Sequence, residues 1–93
     1  MKKINLKKIN QKAINSFCRD LANINQTRDM KELFRDLMSS SEIKDITRRL
    51  EAAKLLKNGK TYQDIQMRLS MSPLTINKIY FKTKGSKIID KIL

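Results

Sequence analysis

The residues best suited to chemistry in this 93-residue chain lie between 61 and 82, in the stretch TYQDIQMRLSMSPLTINKIYFK. Thr75, Asn77, Lys78 and Lys82 are hydrogen-bonding and cationic groups at helical spacing. Groups of this kind read base edges and phosphates in a major groove. Catalytic chemistry has no comparable candidate. The chain has no His, its single Cys18 allows neither an internal disulfide nor a multi-Cys metal site, and no Gly-rich phosphate loop or paired-carboxylate constellation is present. The expectation is therefore a binding protein and not an enzyme, with neither cofactor nor metal.

Two short amphipathic helices are needed to position those groups. Residues 62–69 and 73–82 each carry a helical apolar pattern, and Ser70, Met71 and Ser72 form a tight corner between them. The second helix has a clear start. Ser72 can cap free backbone N–H groups, and Pro73, with its fixed φ and missing donor, suits the first helical position. Leu74, Ile76 and Ile79 are assigned to its inward face. Thr61 and Asp64 approximate a capping box ahead of the first helix, which buries Ile65 and Leu69. The pattern is that of a helix-turn-helix, and a plain helical hairpin with a solvated polar side shares the same local physics.

Charge favours a nucleic-acid partner. Lys+Arg 21 against Asp+Glu 9 gives a formal charge of +12 and a sequence pI of about 10.2. Residues 1–19 and 66–89 contain no acidic side chain, whereas 20–64 mixes both signs, so the second acid-free run covers the proposed reading helix. No apolar run approaches the roughly 18 residues of a membrane span, and the N-terminus lacks a signal-peptide core. Membrane-surface binding by residues 1–12 is disfavoured by the scarcity of aromatics beside the lysines. A cytoplasmic location is expected.

The remaining chain reads as further helices. Ile4, Ile9, Ala13, Phe17, Leu21 and Ile24, with Leu6, Ile14 and Cys18 nearby, predict one long basic amphipathic helix from Ile4 to about Asn25, with Cys18 a buried small hydrophobe. Thr27 is a plausible N-cap for a helix over 28–38 whose stripe is Met30, Leu33, Phe34, Leu37 and Met38. Ser39 with Glu42 fits a capping box, Ser41 being the alternative cap, and a third helix follows to Lys57 with Ile43, Ile46, Leu50, Ala53 and Leu56 on one side. Ala52 and Ala53 would let another helix approach closely. Asn58-Gly59 supplies a left-handed terminus. Arg48 and Arg49 have a solvated face or a phosphate contact as alternative roles. Gly85 is a natural stop for the reading helix, and Ser86 caps a last helix over 86–93. A single all-helical domain is expected, with dimerising helices over 1–38, a central helix over 39–58, the helix-turn-helix over 61–82 and the C-terminal helix.

These residues together carry a family resemblance. Leu33-Phe34-Arg35-Asp36-Leu37, Ser41-Glu42-Ile43, the run from Arg48 to Leu56, the run from Gly59 to Ile65, and Ser72 with Thr75-Ile76 resemble the YerC/YecD-like branch of the tryptophan repressor superfamily over roughly residues 30–85. The resemblance implies an intertwined all-α homodimer with two projecting helix-turn-helix heads. It also implies a sequence-specific transcriptional regulator on a near-palindromic operator, with half-sites about one helical turn apart. In the family the indole of tryptophan lies between two arginines beside a glycine. The matching positions here are Arg48, Lys78 and Ile79, and only the first is retained, so no tryptophan corepressor is expected.

Base contacts are assigned to Gln63, Leu74, Thr75 and Asn77, and phosphate contacts to Lys60, Arg68, Ser72, Lys78, Lys82 and Lys84. The competing readings are an architectural or replication-linked DNA-binding protein and an adaptor whose basic face docks an acidic partner.

Overall fold

The computed structural model describes residues 6–93, with side chains from residue 10 onward. All regular structure among them is helical: α1 Leu6–Ala22, α2 Thr27–Leu37, α3 Ser40–Lys57, α4 Tyr62–Leu69, α5 Pro73–Thr83 and α6 Lys87–Ile92. The start assigned to the first helix at Ile4 lies outside the described residues. Backbone contacts divide the chain into two compact units, one reaching to Met38 and the other Ser39–Leu93.

In the first unit α1 ends at Ala22, earlier than the predicted Asn25. Asn23 N–H still reaches the carbonyls of Arg19 and Asp20, and Ile24 N–H that of Leu21, so the chain leaves the helix through a turn. Thr27 is the first residue of α2 and does not cap it. Gln26 occupies the cap position with extended dihedrals, and its side chain makes no cap bond. Asp29 stands in the first turn, favourable to the helix dipole. No residue from 10 to 38 is buried. Ile14 (55%), Phe17 (45%) and Leu37 (60%) are exposed, and so is Cys18, which corrects the expectation of a buried thiol. The stripes have the predicted helical period and are covered only in part: Leu21, Ile24, Met30, Leu33, Phe34 and Met38 are half-buried, and the others stay open.

The second unit holds the core. α3 packs against α4, α5 and α6, and α4 against α5. Ala52, Ala53, Ile65, Met71, Ile76, Ile79 and Ile89 form the buried cluster, with Leu55, Leu56, Tyr62 and Leu69 packed on it. Ala52 and Ala53 have no side chain beyond Cβ, so the neighbouring helices can approach the α3 backbone closely. Their burial lies in the second half of α3. Ile46 and Leu50, expected on the same side, are exposed, and of that side in the first half only Ile43 is half-buried.

Local signals set most boundaries of this unit. Ser39 N–H donates to Glu42 Oε1 at 2.9 Å and Glu42 N–H to Ser39 Oγ at 3.1 Å, a reciprocal box that makes Ser39, and not Ser41, the cap. Gly59 follows α3 at φ 80, where a side chain is disfavoured. α5 ends at Thr83 with Lys84 still right-handed, and Gly85 does not adopt positive φ, so glycine's special freedom is not what stops that helix. Ser86 accepts from Ile89 N–H at 3.2 Å and caps α6, of which Ile89 is buried while Ile88 and Ile92 are exposed, as is Leu93 after it.

Candidate nucleic-acid interface

The corner between α4 and α5 is built from both sides. Thr61 Oγ1 accepts from Asp64 N–H at 3.1 Å to start α4, and Ser72 Oγ accepts from Thr75 N–H at 3.2 Å to start α5, with Pro73 in its first turn. Between them Ser70 takes the left-handed conformation, φ 50 and ψ 48, the region glycine enters most easily. Met71 plugs the corner into the core at 7% exposure. The turn is thus anchored by an apolar side chain and not merely spanned by loop.

Arg48, on α3, completes the corner. Its Nε donates to the Leu69 carbonyl at 3.0 Å and its Nη2 to the Ser70 carbonyl at 2.7 Å. These acceptors are at the end of α4, where helical carbonyls lack intrahelical partners and the dipole is negative. A guanidinium fork satisfies both at once. Its ion pair with Asp45, at 3.9 Å, is marginal. Arg48 thus keeps the ion pair with Asp45 that its place on the helix suggests, and adds a tie to the end of α4 that it does not suggest. That tie was undetectable in sequence because its partners lie more than twenty positions away.

On α5 the inward face consists of Ile76 and Ile79. Leu74 was assigned inward with them and is instead 66% exposed. The helical period does not let Leu74 share an inward face with Ile76, since residues two apart point about 200° apart around the axis. Leu74, Asn77, Lys78, Phe81 and Lys82 have the i, i+3, i+4, i+7, i+8 spacing of a single stripe, and all are exposed. Phe81 was not among the predicted site residues, although the spacing that places the others also places it. Its ring meets Tyr80 edge-on at 5.3 Å, and Lys84 Nζ sits 4.9 Å over it, holding that cation at the helix end. Thr75 is half-buried at the flank of the stripe. Ser72 Oγ donates to Thr75 Oγ1 at 3.0 Å, which leaves the Thr75 proton available to an outside acceptor.

The other candidates are on the same unit. Lys60 is exposed after Gly59, Gln63 is exposed in the first turn of α4, and Arg68 is exposed in its last turn. One contact joins the two helices on their polar side: the Tyr62 hydroxyl donates to Asn77 Oδ1 at 3.1 Å. Beside the corner an open cleft of about 310 Å³ is lined by Asp45, Arg48, Arg49, Ser70, Ser72 and Thr75, with Met71 also contributing. Lys57 was likewise missed. It bonds the Lys84 carbonyl at 3.0 Å and pairs with Asp90 at 3.0 Å, tying α3 to α6 and to the end of α5.

Ile79 is buried in the core, and Arg48 bonds two backbone carbonyls. Among the described residues there is no group of three or more His, Cys, Asp or Glu able to hold a metal, and no helix long and apolar enough to cross a membrane.

Residues 12–87 match the family model described as Trp repressor protein. Over 55 residues the chain is 34% identical to the uncharacterized protein YerC of Bacillus subtilis (strain 168). That match covers 56% of this chain and 53% of the relative, so the chain spans about half the length of the curated relative it matches. No solved structure gives a significant match.

Proposed function

This chain belongs to the Trp repressor family of DNA-binding regulators, on its YerC-like branch, and from that premise we propose that it is a homodimeric, sequence-specific transcriptional regulator acting on a near-palindromic operator without tryptophan as corepressor. The observation that carries the reading is the outward stripe of α5. Leu74 and Asn77 are exposed beside Lys78 and Lys82, while Ile76 and Ile79 fix the opposite face in the core. A helix held this way can enter a major groove with its polar face forward.

Asn77, Leu74 and Thr75, with Gln63 on α4, carry base discrimination. Lys60, Arg68, Lys78, Lys82 and Lys84 attract phosphates; at the start of α5 the Ser72 hydroxyl is engaged with Thr75 and Pro73 has no N–H, so the Leu74 N–H takes the phosphate-anchoring part expected of Ser72. The exposed apolar side chains of α1 and α2 support a second copy of the chain as their cover, since single-chain packing leaves Ile14, Phe17 and Leu37 in water. The buried branched side chain of Ile79 and the carbonyl-bound guanidinium of Arg48 support a reading without tryptophan.

Selection from a random duplex pool at two salt concentrations tests this. A near-palindrome should be enriched at both. Asn77→Ala should flatten preference at its base position, a change of about 1–3 kcal/mol in discrimination. Enrichment of no sequence would favour an architectural protein, and absence of any duplex affinity would favour an adaptor; either outcome rejects the proposal.

A further inference from the structure

We propose that Tyr62 determines which base Asn77 reads, by fixing the direction of its side-chain amide. The inference rests on the DNA-reading role of Asn77 proposed above and adds a positioning residue that touches no base itself. Tyr62 begins α4, and its ring packs on the core cluster, so its hydroxyl is held by a rigid and partly buried support. From there it donates to Oδ1 of the exposed Asn77 across the two helices at 3.1 Å.

An asparagine amide has two faces of opposite character, an acceptor oxygen and a donor NH2. Free to rotate, it can offer both in one plane, which is the geometry that pairs with N6 and N7 of adenine. The Tyr62 proton removes that freedom. It holds Oδ1 toward α4 and leaves the NH2 group as the part of the exposed amide available to the groove, so Asn77 presents donors there. Donors match the O6 and N7 of guanine or the O4 of thymine, which accept, and do not match the N6 amino group of adenine. Asn77 of the native protein therefore favours an acceptor edge over bidentate adenine.

Substitution Tyr62→Phe keeps the packed ring and deletes the proton. Selection from a random duplex pool should then move preference toward adenine by about tenfold at one position in each half-site. The other positions and the melting temperature should remain as in the wild type. Asn77→Ala should erase preference at the same position, and adding Tyr62→Phe to it should change nothing more. A wild-type pool that enriches no sequence overturns the DNA-reading function and this inference together. An enriched operator that Tyr62→Phe leaves unaltered, or a shift that persists without Asn77, overturns this inference alone. Independently of any variant, the Asn77 side-chain amide in the unbound wild-type protein should report a single fixed rotamer by NMR relaxation, and free averaging between rotamers would also overturn it.

Discussion

At Ser70 the chain accepts a left-handed backbone without glycine, φ 50 and ψ 48, at the corner on which the orientation of α5 depends. For an L-residue that region costs about 1–2 kcal/mol, and a glycine there returns roughly 0.5–1 kcal/mol as added freedom of the unfolded chain. Ser70→Gly should thus raise stability by about 0.5–1 kcal/mol, read as a higher denaturant midpoint at unchanged slope. Arg48 supplies the opposite case. Its guanidinium satisfies two carbonyls at the end of α4, and its partial exposure lets water replace some of what is lost. Arg48→Ala should cost about 1–2 kcal/mol in chemical denaturation, with Arg48→Lys intermediate because an ammonium lacks the planar fork.

At the scale of elements, α3 begins in a reciprocal cap whose acidic member responds to pH. The Ser39 backbone N–H, and secondarily its hydroxyl, hold the Glu42 carboxyl below its ordinary value of 4.5. A carboxyl depressed in the folded state favours folding above its unfolded value, and that contribution disappears as pH falls through the lower folded value. Melting temperature should therefore drop on acidification through the carboxylate range, and Glu42→Gln should reduce that slope. Ser39→Ala should cost about 1 kcal/mol at neutral pH by removing the cap acceptor. α5 is oriented by a different force. Ile76 is fully buried at 0% exposure and secures its inward face. Ile76→Ala should cost about 2–5 kcal/mol through lost transfer and a residual cavity, and should abolish DNA affinity in parallel with the loss of helical signal.

For the molecule as a whole, a charge of +12 makes electrostatics the first term in any encounter with a duplex. Each neutralised phosphate contributes about 0.9 to the slope of log affinity against log salt. Lys82→Ala removes one contact from each protomer of the proposed dimer, so it should weaken all sequences alike and reduce that slope by about 1.8, while Asn77→Ala should leave the slope intact. The partly uncovered stripes of α1 and α2 lead to a second expectation at this scale. If a second copy covers them, melting temperature should rise with protein concentration and sedimentation should report twice the chain mass. Phe17→Asp should abolish both, because a charge would then meet an apolar interface.

Six helices and most of their limits were legible in the amino-acid order because the signals are local. Ser39 with Glu42, Asn58 before Gly59, Ser72 before Pro73, and Ser86 each act within four residues, a distance over which sequence spacing is spatial distance. Apolar period likewise identified Ile65, Ile76 and Ile79 as core. Misassignments arose where periodicity reveals a stripe but not its cover: Ile46, Leu50 and Cys18 fit apolar faces that this chain leaves open. Leu74 is different, since the helical period by itself separates it from Ile76. The contacts that shape the proposed interface join residues far apart in the chain: Arg48 to Leu69 and Ser70, Tyr62 to Asn77, Lys57 to Asp90. The sequence by itself determined helices, caps and the sign of the electric field, because propensity, capping and charge belong to neighbouring residues or to their sum. Which polar atoms are occupied and which remain free was decided only by tertiary structure, because a hydrogen bond forms at about 3 Å in space irrespective of how much chain separates its partners.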